Sequence, residues 1–396
     1  MDAVGLFGLA AASGLGRGTE AQLAGALSGV AAFAPVERFD VGGRRVRVAA
    51  TLPDAGSLAD ELADVIDGAC RHAGLSAGQR ADCPLMLAVH GPPGVRGIPD
   101  NAGVRGVPDG AADAPRAAGE SWPTTADLAT SLAGRVGLGS VARVYTSACV
   151  SASTAVADAA ALIRTGRAER VVVAAGYLVE SDQFALFDAG RALATDGAVR
   201  PFSAGRTGLL LGDAVAAVVL EPVTALRNRV PGRRARTELA RLAGWGRAGD
   251  AYHAVQPHPE GHGMARAIGA ALRRAGVDAG ALGYVNAHGT GTPFSDAAEA
   301  AALHRALGPA ARQVPISSTK ATHGHTLEAS GLIELVITVL AMRAGKLPVN
   351  AGFLAPDEAC QLNVIVSGPR SVAGEYALSV NAAFGGANTA LLVQTS

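Results

Sequence analysis

The 396-residue chain has few aromatic residues and few cysteines. Phe, Trp and Tyr make up only 4% of it, whereas glycine contributes 51 residues. A folded core therefore has to be built from closely packed Ala, Val and Leu. The four cysteines are widely scattered and include no CxxC pair, which excludes a disulfide framework. This cysteine usage favours a reducing compartment, and we expect a cytoplasmic location.

The sequence also has no excess of charge of either sign and no long hydrophobic run. Its 34 basic residues balance 34 acidic ones, so the net charge gives no indication of nucleic acid or of a membrane surface. The apolar run from Gly331 to Met342 is about a third shorter than the roughly 18 residues of a membrane span, and it contains Glu334. We therefore expect a soluble, globular protein with neither a nucleic acid nor a membrane as partner.

Strand and helix patterns alternate along the chain. Buried strands are predicted, with helices between them, at residues 84–90, 171–175, 214–220, 284–287, 315–318 and 378–381. This alternation predicts an α/β fold with mixed sheets covered by helices. Residues 91–119, rich in Pro, Gly and Asp, predict a long surface loop. An arginine-rich connector at 221–241 marks the boundary between two halves, residues 1–240 and 241–396.

Cys149 is the first candidate for chemistry. A short strand that ends near Tyr145 is predicted to run through a turn at Cys149 into an alanine-rich helix at 151–164. A cysteine at such a turn lies at the positive end of the helix, where backbone N–H groups favour the thiolate. A nucleophile is one interpretation, and a buried, inert cysteine is the other.

Two histidine motifs follow in the second half. NAHGTGTP places His288 where a strand ends in a Gly/Thr turn, and SSTKATHGH places His325 in a similar position. Histidines at strand exits point into the cleft beside a sheet, although each could also be structural. A zinc site formed by His288, His323 and His325 has no acidic or thiolate partner at ligand spacing, so we predict no metal.

Taken together, these motifs resemble those of the elongating β-ketoacyl-acyl-carrier-protein synthases, the thiolase-fold condensing enzymes of fatty acid and polyketide synthesis. Cys149, His288 and His325 are similar to the family's Cys-His-His set. Other similar stretches are Arg191-Ala192-Leu193, Arg200-Pro201-Phe202, Leu211-Gly212-Asp213, Asp250-Ala251-Tyr252-His253, Lys320, Glu334, Pro348 and Phe384 to Asn388. The resemblance implies a thiolase-like fold of two related halves, with mixed sheets layered between helices (αβαβα).

The resemblance also implies an activity. It is the decarboxylative Claisen condensation of a Cys149-bound acyl group with a malonyl group on an acyl carrier protein. The implied substrates are carried on the phosphopantetheine arm of that protein, and the enzyme needs no cofactor. The implied partners are the acyl carrier protein and a second subunit, either an identical chain or a ketosynthase-like one.

Roles for individual residues follow from the same resemblance. His288 and His325 would donate hydrogen bonds to the malonyl thioester, and Lys320 would pair with Glu334. The backbone N–H groups of Cys149 and Phe384 would form the oxyanion hole, and the Phe384 ring would act as a gate. Residues implied to border the phosphopantetheine arm or the extender pocket are Thr290, Thr292, Leu209 and Phe202. The candidate docking residues for the carrier protein are Arg233, Arg234 and Arg236, although a charge run of this kind can equally be a solvated loop.

Two stretches differ from the family pattern. Thr207-Gly208-Leu209 stands where Asp-Gly-Phe is usual, and Asn381-Ala382-Ala383-Phe384 replaces the more usual Ser-Phe-Gly-Phe. These differences leave open an acyltransferase that passes the acyl group to an amine or alcohol without decarboxylation. A non-catalytic partner subunit of a heterodimer is a third alternative, against which the retention of all three family residues argues.

Overall fold

The computed structural model describes residues 3–91, 124–226 and 237–395. The surface loop predicted at 91–119, apart from its first residue, lies outside the described residues. The docking candidates Arg233, Arg234 and Arg236 lie outside them as well.

Strands and helices alternate through both parts of the chain. Up to residue 226 the elements are β1 (Val4–Ser13), β2 (Gly16–Arg17), α1 (Thr19–Ser28), β3 (Ala34–Pro35), β4 (Val48–Ala49), α2 (Leu58–His72), α3 (Ala77–Ala81), β5 (Pro84–Val89), α4 (Thr125–Arg135), β6 (Ser140–Tyr145), α5 (Ser151–Arg164), β7 (Val171–Tyr177), α6 (Ser181–Ala189) and β8 (Ala214–Pro222). From residue 237 onward they are β9 (Ala240–Gly249), α7 (His262–Ala275), β10 (Leu282–Asn286), α8 (Pro293–Leu307), β11 (Ile316–Ser317), α9 (Lys320–His323), α10 (Ser330–Ala344), β12 (Lys346–Leu347), β13 (Arg370–Ser371), β14 (Tyr376–Ala382) and β15 (Ala387–Gln394).

The long strands form one mixed sheet whose two halves repeat the same pattern. Its order is β11-β10-β14-β15-β9-β1-β8-β7-β5-β6. In one half β6, β5 and β7 are parallel while β8 and β1 follow antiparallel. In the other half β11, β10 and β14 are parallel while β15 and β9 follow antiparallel. The halves join where residues 4–6 pair with residues 240–242. This repetition agrees with the predicted α/β fold of two related halves.

Side chains alternate between the two faces of each strand, and the fold has five layers: outer helices, one half of the sheet, central helices, the other half of the sheet, and outer helices. In β7, Val171 and Val173 face the central core while Val172 faces an outer core with α2 and α4. In β15, Leu391 faces the same central core while Leu392 faces an outer core with α7 and α8. Because successive side chains of a strand point to opposite faces, each half of the sheet is covered on both sides. The shared central layer consists of α5 and α10.

The two central helices cross very closely. A Cβ atom added at Gly331 of α10 would lie 2.7 Å from the backbone nitrogen of Ser153 in α5. The Ser153 hydroxyl in turn hydrogen-bonds the Thr389 hydroxyl on β15 at 2.6 Å. The apolar run noted in the sequence forms α10, which is buried on nearly all sides, as expected for a core helix. No helix in the described ranges has the length and apolarity that a bilayer crossing requires.

We expect Gly331→Ala to lower the free energy of unfolding by about 1–3 kcal/mol, because the methyl group overpacks the crossing. The matched control is Gly134→Ala in α4, where an added Cβ meets nothing within 4 Å. That exposed substitution should raise stability by about 0.5–1 kcal/mol, since it removes glycine from a helix. Urea unfolding measures both variants. A Gly331→Ala protein as stable as its control would contradict the close crossing.

Candidate active site

Cys149 lies in a 3₁₀ turn, Ala148–Val150, between β6 and α5. The sequence places it correctly at a strand-to-helix turn. Ala148 has φ 51°, a left-handed conformation that is strained for a residue with a side chain and that sets the direction of the turn. Cys149 itself is only 7% exposed.

The structure brings the rings of His288 and His325 next to each other. His288 follows β10 and His325 follows α9, and their ring centroids lie 5.5 Å apart in an edge-to-face arrangement. Both rings are buried. The turn that holds Cys149 packs against the 3₁₀ turn Leu327–Ala329, which begins two residues after His325. The structure therefore brings all three predicted residues to one region.

Both imidazoles are held neutral. Burial lowers the pKa of His288 and of His325 well below the usual value, and the positive charge of Lys320 acts in the same direction. The His325 Nδ1 atom lies 3.0 Å from the Ser330 hydroxyl at the start of α10. A neutral imidazole has one N–H donor, so each ring can donate one hydrogen bond without carrying charge.

Burial has the opposite consequence for Cys149. It raises the pKa of the thiol to about 12, and the negative charge of Glu328 adds to the effect. Burial therefore opposes the thiolate that the helix terminus alone favours. The helix position was predicted correctly, and burial, which the sequence left open as the second interpretation, desolvates the sulfur and disfavours the charged form.

Lys320, Glu334 and Asn381 form a buried polar network close to the two histidines. Lys320 Nζ forms an ion pair with Glu334 Oε1, and these side chains are 1% and 0% exposed. Asn381 donates from Nδ2 to the other Glu334 oxygen at 2.7 Å. The family resemblance implied the pairing of Lys320 with Glu334, and a carboxylate inside an apolar helix is costly without a partner. Sequence reasoning missed Asn381, although position 381 belongs to a stretch that differs from the family pattern.

Two acidic residues of α8 hold the His288 loop, and the sequence analysis missed both. Glu299 accepts hydrogen bonds from the backbone N–H groups of His288 and Gly289, each at 2.7 Å. Asp296 accepts from the N–H groups of Gly291 and Phe202 at 3.1 and 2.8 Å. Burial raises the pKa of Glu299 to about 8 and that of Asp296 to about 6. The available signal was a pair of carboxylates three residues apart in a helix that follows the motif directly.

The remaining predicted site residues surround this loop or its neighbours. The hydroxyls of Thr290 and Thr292 lie 3.0 Å apart. Phe202 is buried against the His288 loop, since a Cβ atom at Gly289 would lie 3.0 Å from its ring. Leu209 is buried, and its backbone pairs with that of Ala192 and Ala194. Their roles toward a substrate stay predictions.

Phe384 lies on the loop between β14 and β15, and both of these strands contact the turn of Cys149. Its ring is 53% exposed and stacks on Phe187 of α6, with ring centroids 6.0 Å apart. His323, the third histidine of the motifs, bonds the Thr319 hydroxyl through Nε2 at 3.0 Å. Over the part of the chain that the structure describes, no three His, Cys, Asp or Glu side chains are grouped to hold a metal ion.

Comparison with known families identifies the class of protein. The family model of the β-ketoacyl synthase N-terminal domain matches residues 107–225, and that of the C-terminal domain matches residues 239–354. Together they match more than half of the chain. The chain belongs to the β-ketoacyl synthase family, and the family resemblance predicted from the motifs is confirmed.

Individual relatives agree with this class. Nodulation protein E of Rhizobium meliloti is 40% identical over 248 residues, which cover 62% of this chain and 60% of the relative. The 3-oxoacyl-[acyl-carrier-protein] synthase 2 of Staphylococcus aureus is 32% identical over 250 residues, covering 62% and 61%. The chain thus matches about 60% of the length of these curated relatives.

Solved structures match over the whole chain. A β-ketoacyl synthase from Burkholderia phymatum STM815 has a TM-score of 0.84 at 27% identity, covering 100% of both chains. The ishigamide ketosynthase/chain length factor has a TM-score of 0.84 at 25% identity, covering 100% of this chain and 99% of its own. These matches confirm the thiolase-like fold with mixed sheets.

We expect alkylation of Cys149 by iodoacetamide to rise about tenfold per pH unit from pH 7 to pH 10, without a plateau. The reason is that only the thiolate reacts, and its fraction keeps rising below a pKa of about 12. Peptide mass mapping follows the modified residue, and a Cys149→Ala protein identifies its signal among the other buried cysteines. A rate that levels off below pH 8 would show that the thiolate is the resting form after all.

Proposed function

We propose that the protein is a β-ketoacyl synthase, which condenses a Cys149-bound acyl group with a malonyl group on an acyl carrier protein and releases carbon dioxide. The observation that carries the proposal is the buried pair of neutral imidazoles, 5.5 Å apart, beside the turn that holds Cys149. The name of the Staphylococcus aureus relative, a 3-oxoacyl-[acyl-carrier-protein] synthase, supports the same reaction. The pathway, fatty acid or polyketide synthesis, follows from the family.

The first step is a thioester exchange. The Cys149 sulfur attacks the acyl carbonyl, a new C–S bond forms, and the phosphopantetheine sulfur leaves. The proton of the Cys149 thiol ends on the departing sulfur, so no net charge is created in the buried site. The backbone N–H groups of Cys149 and Phe384 stabilise the oxyanion, and losing one such donor typically costs about a hundredfold or more in rate.

The second step joins the two carbon units. The malonyl thioester loses carbon dioxide, and the electron pair of the broken C–C bond forms an enolate. His288 and His325 donate hydrogen bonds to the enolate oxygen, which neutral imidazoles can do because burial lowers their pKa. The enolate carbon attacks the acyl carbonyl on Cys149, a C–C bond forms, and the C–S bond to Cys149 breaks. The sulfur then regains a proton.

Other residues hold these groups in place. We assign Lys320 and Glu334 a positioning role, in which the pair fixes the segment from α9 to His325. Thr290 and Thr292 bind the phosphopantetheine arm in this proposal. Leu209 and Phe202 border the extender pocket, and the Phe384 ring gates it. Residues 1–240 form the half that carries the nucleophile, and residues 241–396 form the half that carries the histidines.

The proposal includes two protein partners. Among the strands of the described residues, β6 lies at one edge of the sheet, and most of its side chains are exposed or partly exposed. An exposed strand edge can pair with a second subunit, so we propose a homodimer or a heterodimer with a ketosynthase-like chain. The similarity to a ketosynthase/chain length factor supports the second form. For the acyl carrier protein we propose Arg233, Arg234 and Arg236 as the docking face.

A second candidate function rests on two smaller side chains. Leu209 and Ala382 stand where the family pattern has phenylalanine. A site without these rings could admit an amine or an alcohol in place of the malonyl group. The protein would then transfer the Cys149-bound acyl group without releasing carbon dioxide.

We expect a His288→Ala, His325→Ala double variant to acquire acyl mass on Cys149 but to release no carbon dioxide from malonyl carrier protein. Acylation depends mainly on the sulfur and backbone donors, whereas decarboxylation needs both imidazole donors, worth several kcal/mol together. Intact-mass analysis follows the adduct, and trapped carbon dioxide follows the second step.

The chain supplies a matched control. His258 and His262 form another edge-to-face pair, with ring centroids 4.4 Å apart, on a partly exposed surface. Their double alanine variant should retain both steps. If the His288/His325 variant still released carbon dioxide at the control's rate, the role assigned to these imidazoles would be wrong.

A further inference from the structure

The turn of Cys149 has a counterpart in the other half of the molecule. Ala148–Val150 precedes α5, and Leu327–Ala329 precedes α10. The first residue of each turn has a positive φ, 51° at Ala148 and 42° at Leu327. The two turns pack against each other. Glu328 therefore holds the same place in its turn that Cys149 holds in the other.

Glu328 is buried, and only one of its two carboxyl oxygens has a hydrogen-bond partner among the described residues. Its side chain is only 4% exposed, and Oε1 accepts a hydrogen bond from Nδ1 of His90 at 2.7 Å. His90 directly follows β5 and is partly exposed. The second oxygen, Oε2, is buried and has no hydrogen-bond partner among the described residues. A buried oxygen that accepts no hydrogen bond lowers the stability of the fold. A ligand group that donates a hydrogen bond to this oxygen would therefore bind favourably here.

A second unpartnered group lies nearby. Tyr177 ends β7, is 2% exposed, and its hydroxyl has no hydrogen-bond partner in the described part of the chain. The turn of Glu328 packs against β7. The charge of Glu328 raises the pKa of Tyr177 and of Cys149, after burial as the largest cause, which agrees with all three groups sharing one region.

We propose that Glu328 and Tyr177 recognise a hydroxyl group on the acyl chain bound to Cys149. A hydroxyl can donate to Glu328 Oε2 and accept from the Tyr177 O–H, so that both buried atoms gain a partner. An unsubstituted alkyl chain leaves both atoms unpaired. An ammonium group has no acceptor and leaves the Tyr177 hydrogen without a partner. The inference rests on the proposed function, because the acyl group has to be carried by Cys149.

The test compares acyl thioesters of N-acetylcysteamine in the wild-type protein. The probes are hexanoyl, the hexanoyl chains with a hydroxyl at C2, C3 or C6, and 6-aminohexanoyl. Intact mass gives the rate constant kcat/KM for acylation of Cys149. We expect one hydroxylated probe to react at least about tenfold faster than hexanoyl, because a site that hydrogen-bonds a hydroxyl rejects the analogue without it.

Two variants assign the preference to its residues. Tyr177→Phe removes only the hydroxyl, and Glu328→Gln replaces an accepting oxygen by a donor at nearly the same shape. Each should reduce the preference to less than about threefold. The control is Tyr284→Phe, which removes another buried hydroxyl, bonded to Ser317 at 2.8 Å, and should leave the preference intact. Should Glu328→Gln fail to fold, Tyr177→Phe decides alone.

Each outcome has a distinct meaning. Wild-type protein that accepts hexanoyl as fast as every hydroxylated probe overturns the inference and leaves the proposed function standing. A preference for the amino probe over the hydroxylated ones overturns the assignment of a hydroxyl. A preference that survives both variants overturns the roles of Glu328 and Tyr177. Failure of every probe to acylate Cys149 overturns the proposed function and the inference with it.

Discussion

The close crossing of α5 and α10 is the constraint on which the rest of the site depends. Gly331 allows the backbone of α10 to approach that of Ser153 without a side chain between them. Because the helices start near this crossing, the turns that precede them are pressed together, with Cys149 on one and Glu328 on the other. His325 precedes its turn by two residues and is carried to the same region. One packing contact therefore fixes the position of Cys149 relative to the second half of the molecule.

Desolvation then sets the charge state of each group. It keeps His288 and His325 neutral, which suits hydrogen-bond donors to a developing negative charge. It raises the pKa of the Cys149 thiol, which favours the uncharged form. In the same surroundings Lys320 and Glu334 form an ion pair, and Asn381 donates a hydrogen bond to the second Glu334 oxygen, so both carboxylate oxygens have a partner.

The residues of the site that stand in short sequence motifs could be predicted from the sequence. Cys149, His288 and His325 each stand in a short motif near the end of a predicted strand, so their positions could be predicted, and the family resemblance implied that they lie together. Asn381 could not, because its partner Glu334 lies 47 residues away and is brought to it only by packing. Glu299 was missed although it lies only 10 or 11 residues from its partners, because two carboxylates on a helix do not show which backbone groups they bind. The charge state of Cys149 could not be predicted for a related reason, since burial is a property of the folded molecule. The repeated sheet order was predicted as a fold class, but the pairing of residues 4–6 with 240–242 has no local signal.

The most direct test of the account follows wild-type protein through one full cycle by intact mass, first with acyl carrier protein loaded with an acyl group and then with malonyl carrier protein. The account predicts an acyl adduct on Cys149 that disappears when the malonyl carrier is added. One carbon dioxide is released per adduct lost, and the carrier gains a β-ketoacyl chain two carbons longer than the acyl group. An adduct that persists in the presence of malonyl carrier protein, or that leaves without carbon dioxide, would contradict the condensation.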